Sequence, residues 1–192
     1  GIETSAGMST DGLKLFFSRE DKTTMGGTDI FMSRRLPNGT WGAPQNLGPV
    51  INTKYNETFP HLAADGKTLY FASEGHVSMG GFDIFTSVWD ELTQTWSTPK
   101  NLGYPINTVD ENYNISISTT GRYGYTSQFR SEGFGEMDIY HRHKYRNGKG
   151  PLYFSVASVT RPGTLDPKNL GVLSTPGLAL FMQLHNPKHD RI

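Results

Sequence analysis

Acidic side chains recur at a nearly constant spacing in this sequence, and they are the first candidates for chemistry. Asp29, Asp83 and Asp138 each precede an isoleucine and an aromatic residue, once in every repeat of the sequence. A ring of such carboxylates could bind a cation such as calcium, which prefers oxygen ligands. In the alternative interpretation, each aspartate accepts hydrogen bonds from loop N–H groups ahead of a strand. The glycine before each aspartate favours this structural role, so we expect no metal or cofactor.

Three glutamates recur in the same way. Glu3, Glu57 and Glu111 are evenly spaced and lie where the first strand of each repeat is expected to begin. Side chains there could reach the mouth of a central channel, where an acidic ring would bind cations or a basic peptide. Alternatively, they hydrogen-bond the loops between repeats. Arg130 lies in the third copy, which departs from the repeat, and is a further candidate for a channel or partner contact.

Other residue types give no catalytic constellation. His141 and His143 would face one side of a predicted strand, as a metal-binding pair could, but Arg142 and Lys144 beside them would repel a dication. The sequence has no Gly-x-Ser-x-Gly elbow, and its glycine-rich loops lack the Lys-Ser/Thr of a phosphate loop. We therefore expect a protein without catalytic residues and without enzymatic activity.

The acidic residues belong to a block of sequence that occurs three times. The third copy matches the pattern less closely than the first two. Each copy has a turn, an aromatic strand, a glycine-containing loop and an Asp-Ile-aromatic strand, and the first two copies end with a tryptophan segment. A period of this size indicates an array of supersecondary units that cannot bury their apolar faces alone. The residues that define the repeat are Asp11, Gly12, Gly26, Gly27, Asp29, Trp41, Asp65, Gly66, Gly80, Gly81, Asp83, Trp96, Gly121 and Asp138.

Composition supports short β-strands and excludes several classes of protein. The 192 residues include 22 glycines and 12% aromatics, which suit many turns and pleated strands. The 18 basic and 18 acidic residues give a net charge of zero, so we expect no nucleic-acid partner. The sequence contains no cysteine and no apolar run of the ~18 residues that a membrane span needs. Because the sequence starts within a repeat and without methionine, we expect a fragment or a processed chain.

Four short antiparallel strands in about 50 residues are typical of a β-propeller blade. We predict an all-β chain with three four-stranded blades at about 1–54, 55–109 and 110–146. Because closed propellers need about four to eight blades, these three would belong to a larger ring. Residues 147–192 are predicted to be a linker and a β-rich tail that opens a sandwich-type domain.

Aromatic residues of the repeats could stack sugars, but such rings more often fill the core between blades. We expect the core role for Phe17, Phe31, Trp41, Phe71, Phe85 and Trp96.

The motif Asp-Gly-x-x-Leu-Tyr-Phe-x-Ser followed by Gly-Gly-x-Asp-Ile-Phe resembles the WD40-like (PD40) repeats of TolB-type β-propellers. The closing Trp-x-x-Pro-x-Asn-Leu-Gly segment resembles the propeller of OmpA-family, PorE-like envelope proteins of Bacteroidetes. The resemblance covers about residues 1–146. It implies a periplasmic or outer-membrane-associated protein, with a carboxypeptidase-regulatory-like sandwich after the repeats. Implied partners are envelope proteins, and peptidoglycan through a domain not in this chain.

These observations predict a non-enzymatic protein–protein interaction scaffold in the bacterial cell envelope, as a component of a type IX secretion or gliding-associated complex. The alternative is a glycan- or peptide-binding propeller module, or a propeller-fold enzyme that uses a channel pocket. Thr120, Arg122, Arg130 and Glu136 break the repeat in the third copy, and this break keeps the alternative open.

Overall fold

The computed structural model describes residues 1–129, 138–145 and 153–158, and all structural statements below concern these ranges. They belong to one compact unit, Gly1–Ser158. The described residues form thirteen β-strands and no helix, so the all-β prediction is confirmed for them. It follows that no helix in this part of the chain could cross a membrane.

The strands form three antiparallel sheets, and none of them closes on itself. Sheet one has the order β1-β2-β3-β4 and contains Ile2–Met8, Lys14–Glu20, Asp29–Arg34 and Gln45–Asn46. In sheet two, β5 (Glu57–Leu62), β6 (Thr68–Ser73) and β7 (Asp83–Asp90) are followed by two short strands that both pair with β7, namely β8 (Thr95–Trp96) and β9 (Lys100–Asn101). Sheet three has the order β10-β11-β12-β13 and contains Ile115–Ile117, Tyr123–Gln128, Asp138–Tyr145 and Tyr153–Ser158.

The hairpin between the first two strands of each sheet turns at a glycine. Gly12, Gly66 and Gly121 have φ angles of 70°, 70° and 66°, in the left-handed region that favours glycine. Asp11 and Asp65 precede two of these glycines, and each carboxylate accepts a backbone N–H at 2.9 Å. The Asp-Gly pairs therefore set the turns because glycine takes the positive φ and aspartate bonds its own backbone.

A hydrophobic core fills the space between sheet one and sheet two. Phe71 and Phe85 of sheet two are stacked, with ring centroids 6.1 Å apart, and both are 1% exposed. They pack against residues contributed by sheet one and by the connection that follows it. The buried members of this core are Phe16, Ile30, Met32, Ile51, Leu62, Leu69, Phe71 and Phe85, with Leu47 and Trp96 partly buried against it.

The opposite face of sheet two builds a second, smaller core towards sheet three. Ile84, next to Phe85 on β7, packs there with Ile106 and Ile115. Successive residues of a strand point to opposite faces of the sheet, so one strand supplies both cores. Sheet two is thus covered on both faces, as an array of stacked units requires.

Of the aromatic residues expected in the core, Trp41 is the exception. Phe17 and Phe31 are buried, as are Phe71 and Phe85, but Trp41 is 40% exposed. Its backbone forms a bridge to Arg35 beyond the end of β3, and its side chain lies beside Pro44 on the face of sheet one away from sheet two. The prediction of a core role for Trp41 is therefore wrong, because its side chain stays exposed on that face even though Phe17 and Phe31 are buried there.

The fourth strand of sheet three lies beyond the expected end of the repeats. The sequence analysis assigns residues 147–192 to a linker and a tail, whereas β13 pairs with β12 from Tyr140↔Ser158 to Tyr145↔Tyr153. The division of the chain into residues 1–146 and 147–192 stays a prediction.

We expect Phe71→Ala to lower the free energy of unfolding by about 3–5 kcal/mol, because it leaves a cavity between two sheets. Urea denaturation measures the effect. Leu92 is 95% exposed, so Leu92→Ala is the control and should change stability by less than about 0.5 kcal/mol. Equal effects of the two substitutions would show that the two sheets do not pack through Phe71.

Candidate functional site

The recurring aspartates begin the third strand of each sheet. Asp29 and Asp83 are fully buried, and Asp138 is the first residue of β12. Asn46 Nδ2 donates to Asp29 Oδ2 at 2.6 Å, and Asn101 Nδ2 donates to Asp83 Oδ2 at 2.9 Å. Each of these carboxylates also accepts an N–H from the glycine-rich loop before it, from Met25 and Met79 respectively. In this geometry Asp29 and Asp83 fix the loop to the short strand that carries the asparagine, β4 in sheet one and β9 in sheet two.

A second pair of asparagines extends each network into the strand backbone. Asn52 is fully buried; its Oδ1 accepts Ile30 N–H at 2.8 Å and its Nδ2 donates to Ile30 O at 3.0 Å. Asn107 makes the same two bonds with Ile84, each at 2.8 Å. The side-chain amide thus pairs with the main chain as a neighbouring strand would, and it holds the connection to the next sheet in place.

The glycine-rich loops lie directly against this connection. A Cβ on Gly26 would collide with the Lys54 carbonyl, and one on Gly80 would collide with the Val109 carbonyl. Similarly, a Cβ on Gly27 or Gly81 would collide with a polar side chain, that of Asn56 or Glu111. Gly26 and Gly80 therefore require glycine because the loop backbone touches the backbone of the following segment, whereas at Gly27 and Gly81 the obstructing side chain would have to move.

The structure places the three recurring glutamates in different environments. Glu3 is exposed on β1 and forms an ion pair with Arg19, with 3.6 Å between Glu3 Oε1 and Arg19 Nε. Glu57 is fully buried, whereas Glu111 is exposed and accepts Phe82 N–H at 2.8 Å. The structure therefore does not bring these side chains together as a ring of equivalent carboxylates.

A one-residue offset explains this difference. Glu111 accepts Phe82 N–H, whereas in the preceding repeat it is Asn56 that accepts Thr28 N–H, at 3.0 Å. Glu111 is therefore the counterpart of Asn56 in the preceding repeat, and the counterpart of Glu57 is Asn112. The even spacing of the glutamates in the sequence pairs side chains that are not structurally equivalent.

Glu57 is a buried acid within a polar pocket. Its Oε1 accepts hydrogen bonds from Thr53 Oγ1 and Ser73 Oγ, both at 2.7 Å, and its Oε2 accepts Thr53 N–H at 2.8 Å. Burial raises the pKa of Glu57 above its ordinary value of 4.5, although these hydrogen bonds and the nearby His76 oppose the shift. Asn112, in the equivalent position, carries no ionisable group.

Several candidate residues lie outside the described set. Nothing is described for Arg130, nor for the side chains of Asp138, His141 and His143. Within the described residues, no three His, Asp or Glu side chains come together as a metal-binding group.

The sequence analysis missed a cavity of about 430 Å³ between sheet one and sheet two. Apolar side chains from both sheets line it, together with Lys14 and Arg34. These two cations lie on neighbouring strands, where Lys14 and Arg34 are direct cross-strand partners. Only the strand register reveals this pair, since the two residues are far from adjacent in the sequence.

Sequence comparisons match the C-terminal part of the chain. The family model described as ZipA, C-terminal FtsZ-binding domain, matches residues 128–191. Cell division protein ZipA of Pseudomonas fluorescens (strain SBW25) is 43% identical over 58 residues, which are 30% of this chain and 20% of that protein. The ZipA of Marinobacter nauticus is 49% identical over 53 residues, 28% of this chain and 16% of that protein. The chain spans about a fifth of the length of these relatives.

Structural comparisons give weaker likenesses. TolB from Acinetobacter baumannii has a TM-score of 0.49 and 14% identity, over 78% of this chain and 31% of that one. Hydrazine synthase of Kuenenia stuttgartiensis has a TM-score of 0.42 and 11% identity, over 72% of this chain and 39% of that one. Both TM-scores lie below 0.5, so neither likeness carries an argument about fold or function.

The sequence matches correct the predicted family. Both the family model and the curated relatives are of ZipA, so the prediction of a TolB-type PD40 repeat protein related to OmpA-family, PorE-like envelope proteins is wrong. The predicted role in type IX secretion or gliding is therefore also wrong. The repeat motif indicates how the sheets are built. It does not identify the function, because proteins with the same scaffold have many different functions.

Predicted partners and location change as well. The resemblance implied envelope proteins and peptidoglycan as partners. This prediction is wrong, because the matched family model is that of an FtsZ-binding domain. A periplasmic or outer-membrane location is not supported, and only the coarse assignment to the bacterial cell envelope stands.

We expect Asn52→Leu to lower the free energy of unfolding by about 1–3 kcal/mol, because it leaves the buried N–H of Ile30 without its acceptor. Asn107→Leu should have a similar effect at the next junction. Chemical denaturation measures both. Asn38 is exposed in a turn, so Asn38→Ala is the control, with an expected loss below about 1 kcal/mol. A loss of that small size for Asn52→Leu would contradict the structural role of the amide.

Glu57 should make the free energy of unfolding depend on pH. Burial raises the pKa of Glu57 in the folded protein above its value in the unfolded chain, so the folded state favours the protonated carboxyl group. The contribution of Glu57 is therefore most favourable below the unfolded pKa and declines as pH rises through the folded pKa. We expect the stability of Glu57→Gln relative to the parent protein to increase from about pH 4 to pH 8, measured by urea denaturation at each pH. The control is Glu20→Gln at an exposed position, and a flat difference for Glu57→Gln would contradict the argument.

Proposed function

We propose that this chain is a cell-division binding protein that attaches to FtsZ through residues 128–191. The observation that carries the proposal is the match of this segment to the ZipA C-terminal FtsZ-binding domain. Identities of 43% over 58 residues and 49% over 53 residues support it. Binding of this kind requires no catalytic group, and we propose that the chain has no enzymatic activity.

The described backbone within this segment is antiparallel sheet. It includes β12 and β13, which pair from Tyr140↔Ser158 to Tyr145↔Tyr153. Within the described residues β13 is the outer strand of sheet three. An outer strand and the face of a sheet are both surfaces on which proteins receive partners, so the local architecture is compatible with a binding role.

We also propose that the three sheets are blades of the β-propeller type. The support is the way their first strands meet: Phe59 N–H on β5 donates to Ser5 Oγ on β1 at 2.9 Å. One sheet further, Ile117 N–H on β10 donates to His61 Nε2 on β5 at 3.4 Å. First strands that contact each other in turn are expected when they are the innermost strands of successive blades.

Binding to purified FtsZ of Pseudomonas fluorescens tests the function, with biolayer interferometry on the whole chain. We expect saturable binding with a Kd in the micromolar range, typical of transient complexes of standard size. A variant that ends at Ser158 keeps the compact unit Gly1–Ser158 and lacks much of the matched segment. This variant should bind at least about tenfold more weakly, a difference of about 1.4 kcal/mol.

The matched control is Lys22→Gln, an exposed substitution in the first repeat that should bind FtsZ like the parent chain. Thermal unfolding followed by circular dichroism establishes that each variant is folded. Absence of binding by the whole chain would overturn the proposed function. Undiminished binding by the variant ending at Ser158 would overturn the assignment to the part of the segment after Ser158 and confine it to residues 128–158.

A further inference from the structure

The cavity between sheets one and two has the size and lining of a small-molecule site. Its volume of about 430 Å³ lies within the range of about 300–1,000 Å³ that is usual for ligand pockets. Phe16 and Met32 line it from sheet one, and Leu62 and Trp96 line it from sheet two. Phe16 and Trp96 meet edge to face, with ring centroids 6.4 Å apart. The cavity thus offers an apolar, partly aromatic wall to a flat or ring-shaped group.

Two cations lie together at this cavity without an acidic partner. Lys14 on β2 and Arg34 on β3 are cross-strand partners, and both line the cavity. Neither forms an ion pair with a described carboxylate, and no acidic residue lines the cavity. Asp11 is close enough to interact with the charge of Lys14, but the two form no ion pair. Like charges directly opposite on a sheet destabilise it, so an anion bound between Lys14 and Arg34 would relieve their repulsion.

The second sheet shows that the fold does not need these cations. The counterparts of Lys14 and Arg34 in sheet two are Thr68 and Val88, and these two are also cross-strand partners. The same hairpin is therefore built with one polar and one apolar residue in sheet two. Of these two repeats, only the first carries the charged pair. The pair is therefore not needed to build the hairpin of the repeat.

We propose that this cavity binds a small organic anion. The anionic group, a carboxylate or a phosphate monoester, lies between Lys14 and Arg34, and an attached ring packs against the wall formed by Phe16 and Trp96. Amide side chains at the rim, Gln45 and Gln94, are available for further polar contacts. This site lies outside the FtsZ-binding segment and does not depend on the proposed function.

Isothermal titration calorimetry of the whole chain tests the proposal with three matched probes. They are 1-naphthaleneacetate, 1-naphthyl phosphate and the neutral 1-naphthaleneacetamide. We expect at least one of the two anions to bind with a Kd of about 1 mM or tighter, the strength that a ligand of this size can reach. The neutral amide should bind at least about tenfold more weakly. The ratio of the two anions distinguishes a carboxylate site from a phosphate site.

The double variant Lys14→Thr/Arg34→Val installs the residues that sheet two carries, so it is compatible with the hairpin. We expect it to lose at least about tenfold in affinity for the preferred anion, with weak binding of the neutral amide unchanged. Its melting temperature should stay the same or rise, since two opposed like charges are removed. Lys22→Gln, which removes a cation outside the cavity, is the control and should bind as the parent does.

Should the double variant not fold, the single variants Lys14→Gln and Arg34→Gln serve the same test, each with a partial loss of affinity. The proposal is overturned if neither anion binds, or if the anion and the neutral amide bind equally. Anion binding that the Lys14 and Arg34 variants retain in full would also overturn it.

Discussion

The side-chain amides of Asn52 and Asn107 are the interaction on which this architecture depends. Each one pairs with both the N–H and the C=O of a strand residue, Ile30 or Ile84, at the point where the short neighbouring strand, β4 or β9, ends. Buried main-chain groups must find partners, so this amide allows the chain to leave one sheet and start the next without exposing its backbone. The buried aspartates attach the glycine-rich loop to the same junction, and the apolar cores lie between the sheets that these contacts join.

Local features of the fold could be predicted from the sequence because they depend on few residues. The Asp-Gly turns and the strand that follows each of them are examples, since glycine conformation and aromatic alternation determine them over a short stretch of chain. The all-β class followed from the same features. The exposure of Trp41 could not be predicted this way, because it depends on whether another surface covers that face of sheet one.

The candidate sites depend on register, which spacing alone does not provide. Glu57 and Glu111 follow the even spacing of the glutamates, yet the contacts make Glu57 the counterpart of Asn112. The cause is the turn before the tryptophan segment, which is one residue longer in the second copy. Lys14 and Arg34 become a pair only when β2 and β3 are aligned. The ZipA match was not predicted for a different reason. It begins at residue 128, where the sequence departs from the repeat, so the spacing of the repeat residues predicts nothing about this segment.

The exchange of a carboxyl group for an amide at one position makes the two junctions chemically unequal. At the first, Glu57 can gain or lose a proton inside the protein, whereas Asn112 at the second has a fixed charge state. Acidification therefore favours the folded state through Glu57, and the amide of Asn112 makes no such contribution at the next junction. Two near-identical junctions thus differ in one acid: the side chain that accepts Thr53 N–H can change its charge, and the one that takes its place in the next junction cannot.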